Sequence, residues 1–117
     1  MTEAQEQKTL IDWTLMVRGK YPVLKLLYAI PNGGSRNIIE AANLKRQGVK
    51  SGVPDLCLPV ARNGYHGLYI ELKTAKGRTS ENQDAWIAEL RGQGYRVEVA
   101  MGCEEAIEIL RGYLSGI

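Results

Sequence analysis

Residues 51–73, SGVPDLCLPVARNGYHGLYIELK, hold two apolar, β-prone runs on either side of an Asn63-Gly64 dipeptide. Asn-Gly suits the two positive-φ positions of a tight hairpin turn, so the runs at 55–60 and 67–73 are predicted to be antiparallel neighbours. Side chains alternate across a strand. Tyr69, Glu71 and Lys73 therefore share one face, while Leu68, Ile70 and Leu72 share the other and pack into the core. Pro54 holds Val53 extended and cannot donate to a ladder, which puts it at the beginning or edge of a strand. Asp55 follows directly. Counting from the turn, eight residues separate Asp55 from Asn63 and seven separate Gly64 from Glu71. The hairpin thus brings Asp55 beside Glu71 and Lys73, whose Cα atoms are about 7 Å apart.

The flanking sequence supplies helices and two further strands. Residues 2–18 read as a helix capped by Thr2, with Leu10, Trp13, Thr14 and Val17 as its apolar stripe. Extending that stripe toward the N-terminus brings in Glu3, Gln7 and, at its margin, Glu6. Residues 23–30 read as a buried strand, 31–36 as a loop, and 36–47 as a second helix capped by Ser35 and closed by Gly48. A basic loop with Lys76 and Arg78 precedes a helix starting at Ser80. A strand at 95–101 and an amphipathic helix at 103–114 complete the chain. The order α-β-α-β-β-α-β-α predicts one α/β domain spanning 1–117, a central mixed sheet flanked by helices.

At 117 residues, 44% hydrophobic and 24% charged, the composition is that of an ordinary globular domain. A net charge of +2 and a pI near 8.6 permit a polyanionic partner without requiring one. Cys57 and Cys103 lack metal-site spacing, which argues against zinc and against a disulfide framework; Cys57, between two leucines, reads as a small buried residue. No signal-peptide pattern or membrane-length apolar run is present, so a reducing cytoplasm is the expected compartment.

Two carboxylates that converge need a cation between them. Lys73 could supply one, and Mg²⁺ or Mn²⁺ is the stronger candidate for hard oxygen donors. Two acids, a divalent ion and a lysine make an apparatus for phosphodiester hydrolysis. The competing reading is that Glu71 and Lys73 lie on the solvated face of a half-covered sheet and that Asp55 is a turn residue.

Pro54-Asp55 followed by Glu71-Leu72-Lys73 resembles the PD-(D/E)XK nuclease signature. The longer pattern (SGVPDL, YIELK, a basic loop, Gln83 in the next helix, GYRVEV) resembles the VRR-NUC branch, including small stand-alone bacteriophage proteins and the nuclease domain of a DNA interstrand-crosslink repair enzyme. PNGGSR and GYHGLYIELK extend the resemblance over nearly the whole chain. It implies a restriction-endonuclease-like core and a metal-dependent DNA nuclease of a bacterial or phage-infected cell. Asp55, Glu71 and the main-chain carbonyl of Leu72 would hold metal, Lys73 would be the catalytic lysine, and Gln83 would stand near the active centre. Families of this fold often add an acid from the first helix, for which Glu3 fits best and Glu6 and Gln7 are alternatives. Gln83 and Ser80 also match a capping box.

Lys76, Arg78, Arg36 and Lys50, with Lys45 and Arg46, are candidate phosphate contacts. His66, by the hairpin turn, reads as a turn residue. Small size and the resemblance to junction-cutting relatives suggest a C₂ homodimer acting on branched DNA such as four-way junctions. A flap or splayed-arm nuclease, a catalytically silent DNA-binding module and an α/β protein with coincidental acids are the alternatives.

Overall fold

The computed structural model describes residues 1–31 and 37–116. Four strands form one mixed sheet in spatial order β1 (Tyr28–Ala29), β2 (Leu56–Leu58), β3 (Leu68–Lys73) and β4 (Arg96–Met101). β1–β2 and β2–β3 are antiparallel, and β3–β4 is parallel. Helices α1 (Glu3–Met16), α2 (Ile38–Arg46), α3 (Glu81–Gly92) and α4 (Cys103–Ser115) accompany the sheet. The fold is the expected α/β arrangement. Among the described residues no helix is long and apolar enough to cross a membrane.

The hairpin forms where its turn residues predict. Asn63 and Gly64 have φ of 54° and 84°, and Arg62 bridges Tyr65. Leu56 pairs with Ile70, Cys57 with Tyr69 and Leu58 with Leu68. The last helix braces the turn: the Tyr113 hydroxyl donates to the Val60 carbonyl at 2.5 Å, and Asn63 Nδ2 donates to the Tyr113 carbonyl at 3.3 Å.

The expected strand at 23–30 is corrected. Residues Pro22–Leu26 form a 3₁₀ helix, and only Tyr28–Ala29 pair as strand. Pro22 pre-sets the backbone of a helical first turn. Leu24 is buried while Lys25 and Leu26 are exposed, so burial does not alternate as an extended strand would require. The expected strand at 55–60 shortens to Leu56–Leu58, hemmed by Pro54 and Pro59, which lack the donor a ladder needs. α2 is capped by Asn37, whose side chain accepts from the Ile39 and Glu40 N–H groups. The proposed Ser35 cap and the loop residues 32–36 lie outside the described residues.

One sheet face carries the main core. Leu56, Leu58, Leu68, Ile70, Leu72 and Ala100 pack against Leu10 of α1, Leu24, and Ala106, Leu110 and Tyr113 of α4. On the other face, α3 packs against β4, burying Ile87 and Val97, and reaches the Glu71 row of β3 through Gln83. The carboxyl ends of β3 and β4, the start of β2 and the N-termini of α3 and α4 therefore meet at one end of the sheet, where ligand sites of α/β sheets form.

α1 and α4 are joined at that end. Glu6 Oε2 accepts the Cys103 N–H at 2.7 Å, and α4 has no side-chain cap of its own because Gly102 precedes it. Glu6 thus caps a helix remote in sequence and complements its dipole. Gly102 has φ 102° and ψ 167°, a conformation open essentially to glycine alone, and a Cβ there would stand 2.8 Å from Glu6 Oε2. Gly102→Ala is expected to lower stability by about 1–3 kcal/mol, read as a shift of the urea midpoint at unchanged slope.

Candidate active site

Asp55 and Glu71 lie opposite one another, because the ladder register Leu56↔Ile70 continues outward to that pair. Asp55 Oδ2 accepts the Leu72 N–H at 2.7 Å, which sets its carboxyl beside that of Glu71. Lys73 Nζ stands 3.9 Å from Glu71 Oε2. Glu71 is 1% exposed and Lys73 8%. The solvated-face reading fails on those two numbers: the acid and the lysine are held out of bulk water.

Gln83 serves both readings of its sequence position. Its Oε1 accepts the Ser80 N–H at 2.9 Å, closing the capping box, while its Nε2 reaches Glu71 Oε2 at 3.4 Å. The cap fixes the amide, and the fixed amide is directed at the carboxylate.

Burial pushes the Glu71 carboxyl up from its ordinary 4.5 to about 8; the neighbouring Asp55 carboxyl adds to this, Lys73 opposes it, and Glu3 contributes a further small rise. Without a cation, the Glu71 carboxyl therefore holds its proton to a higher pH than an ordinary carboxylate. Glu71 Oε1 has no hydrogen-bond partner although it is buried. An orphaned buried carboxylate oxygen beside a second carboxylate is a donor set that a hard divalent ion would satisfy. A strand residue sends its N–H and C=O to the same edge, so the Leu72 carbonyl opens toward Asp55 as well. The described residues contain no cluster of three His, Cys, Asp or Glu side chains able to hold a metal ion. A site here would therefore take two carboxylates plus main-chain and water oxygens.

The three candidates on α1 separate. Glu6 is committed to Cys103. Gln7 lines a surface depression with Lys8 and Asp12. Glu3 is exposed in the first turn and close enough for its charge to act on Glu71. Lys76 and Arg78 are exposed in the loop leaving Lys73, Lys50 is exposed before Pro54, and Arg36 lies outside the described residues. His66 is exposed and sets its ring edge-on to Tyr95 with centroids 5.9 Å apart, beside the turn and away from the carboxylates.

Cys57 is buried as expected, but it is more than an apolar filler. Tyr28 and Tyr69 lie beside its thiol, and Tyr69 is pushed up to about 12 by burial first and by Cys57 second. This cluster continues the carboxylate face of the sheet. The sign of it in the sequence was strand parity, since Cys57 is two residues from Asp55.

The raised Glu71 value has a signed consequence for the metal-free protein. The folded state holds a proton that the unfolded chain releases near pH 4.5, so the stability it contributes is complete below that value and is lost as pH rises to about 8. In EDTA, the thermal midpoint is expected to fall over this window, and Glu71→Gln, which stays neutral, is expected to flatten the fall. Parallel wild-type and Glu71→Gln melting curves against pH check it.

The profile of the VRR-NUC domain matches residues 1–104. No curated protein matches the chain significantly. A solved structure described as a VRR_NUC domain protein superimposes with a TM-score of 0.83 at 32% identity, covering 98% of this chain and 89% of its own. With the family profile over most of its length and the same fold throughout, this chain belongs to the VRR-NUC family of nuclease domains.

Proposed function

We propose that this domain is a Mg²⁺- or Mn²⁺-dependent, structure-selective DNA endonuclease, working as a homodimer on branched DNA such as four-way junctions. The observation that carries the reading is the orphaned, buried Oε1 of Glu71, a residue whose carboxyl has Asp55 and Lys73 as neighbours. Asp55, Glu71 and the Leu72 carbonyl would hold the ion with water oxygens in the remaining positions, and Glu3 would act on it from α1 through its charge. When bound, the ion offsets the paired carboxylates, polarises the scissile phosphate and acidifies water.

The protein's own groups do the rest. The Leu72 N–H fixes Asp55, and Gln83 holds Glu71, so both carboxylates are oriented before substrate arrives. Lys73 positions the attacking water and offsets charge that develops on the phosphate. The burial of Glu71 and Lys73 restricts water around this row, which strengthens each of these interactions. Lys76, Arg78 and Lys50 are exposed cations on the loops that flank the carboxylates, suited to holding the strand on both sides of the cut. One such centre cuts one strand, and a two-fold pair would cut two symmetrically. The free thiols of Cys57 and Cys103 suit a reducing cytoplasm.

Lys73→Ala is expected to slow cleavage by roughly a hundredfold or more while leaving DNA affinity and the unfolding midpoint close to wild type. The assay is a panel of labelled four-way junctions, flaps, splayed arms and plain duplex with Mg²⁺ or Mn²⁺. Wild-type rates from Lys73→Ala would refute the mechanism, and faster cutting of flaps than of junctions would assign the flap-nuclease alternative. Mn²⁺ is also expected to raise the melting temperature of the wild type, and to do so less for Asp55→Asn; equal shifts would remove Asp55 from the metal site.

A further inference from the structure

α3 presents a second face beside the one aimed at the sheet. Gln83 and Ile87 face the sheet, while Asn82, Ala85 and Trp86, at i, i+3 and i+4, face α2. Between the two helices lies a groove of about 510 Å³ whose lining includes Trp86, Lys45, Lys50, Ser51 and Asn82. That volume is in the range of sites that take small organic groups, roughly 300–1,000 Å³. No lining residue is acidic, and neither lysine is paired with a carboxylate among the described residues.

The two tryptophans are in different situations. Trp13 has the Arg111 guanidinium 5.6 Å above its ring. Trp86 is half-buried, and among the described residues no ring or cation stacks on it. The facing residues on α2 and α3 include Ala41 and Ala85, whose small side chains leave space in front of the indole. α2 buries none of its described residues, so it stands off from the body instead of closing the groove.

The groove adjoins the carboxylate site. Asn82 Nδ2 donates to Ser51 Oγ at 3.2 Å, and a Cβ on Gly52 would approach the Asn82 backbone to 2.8 Å, so the loop before Pro54-Asp55 is packed hard against the start of α3. The next residue on α3 is Gln83, which reaches Glu71. A strand whose phosphate sits at Asp55 and Glu71 would thus have this groove as its neighbour, one residue away along α3.

We infer that the α2–α3 groove is a subsite for one unpaired nucleotide of the DNA strand being cut, its base stacked on Trp86 and its phosphates on Lys45 and Lys50. The inference rests on the endonuclease reading and deepens it. Charge complementarity selects a polyanion, and an open indole selects an unstacked base, which intact duplex does not offer. Structure selectivity then has a physical source: substrates with a free nucleotide next to the scissile phosphate gain a stacking contact that plain duplex lacks.

The test uses EDTA to prevent cleavage and a Trp13→Phe background, which leaves Trp86 as the sole tryptophan of the two in the chain. Single-stranded oligothymidylate is expected to quench Trp86 emission, and a blunt hairpin duplex is not. Trp86→Leu should weaken oligothymidylate binding about tenfold and leave duplex affinity within about twofold. Trp86→Phe should retain most of the binding, and Lys45→Ala, an exposed position, should lower it with a shallower salt dependence. Absent quenching, or equal losses on both DNAs in Trp86→Leu, would overturn the inference. So would a change of sedimentation coefficient in that variant, which would give the groove to a second copy of the chain. Cleavage by the wild type, run alongside, separates the two readings. Cutting without a Trp86 response sinks the subsite and spares the nuclease, whereas a Trp86 response without cutting supports the subsite and removes the nuclease.

Discussion

The hydrogen bond from the Leu72 N–H to Asp55 Oδ2 organises this end of the molecule. The ladder of β2 and β3 steps through Leu58↔Leu68 and Leu56↔Ile70 and would next reach Pro54↔Leu72. At that rung a side chain takes the N–H of Leu72. The hairpin therefore ends in a carboxylate held by main chain, and that carboxylate faces Glu71. Pro54 and Asp55 act as a unit: the first keeps the chain extended without a donor, and the second fills the rung.

The arrangement is costly in the metal-free protein. A buried carboxyl faces a half-buried one, one oxygen has no partner, and a proton is retained where an ordinary carboxylate would have lost it. A large apolar cluster on the opposite face of the same strand offsets this. Leu68, Ile70 and Leu72 are fixed in that cluster, so Tyr69, Glu71 and Lys73 have no freedom to turn outward. The strand is buried on both faces for two different reasons, one apolar and one chemical.

Particular residues mark how far the sequence could be read. The Asn63-Gly64 turn, the facing of Asp55 and Glu71, the Thr2 and Ser80 caps and the element order were legible because each depends on local chemistry or strict period-two alternation. Residues 23–27 misled because Val-Leu-Lys-Leu-Leu has strand composition while Pro22 favours a helical turn, and composition does not decide between them. Gln83 was ambiguous for a different reason: an amide has two ends, and each satisfies one of the two readings. Glu6 was read at the margin of a helical stripe, yet it caps α4.

By itself the sequence determined the hairpin, its register and hence the meeting of an acid, a second acid and a lysine, since turn type and side-chain alternation act over a few residues. The choice among Glu3, Glu6 and Gln7, the burial of Glu71 and Lys73, and the space beside Trp86 were decided only by tertiary structure. Each depends on which helix lies over which face, and that is set by packing between segments up to 97 residues apart, as Glu6 and Cys103 are. No local pattern encodes a contact at that separation; only the closed shape of the whole core selects it.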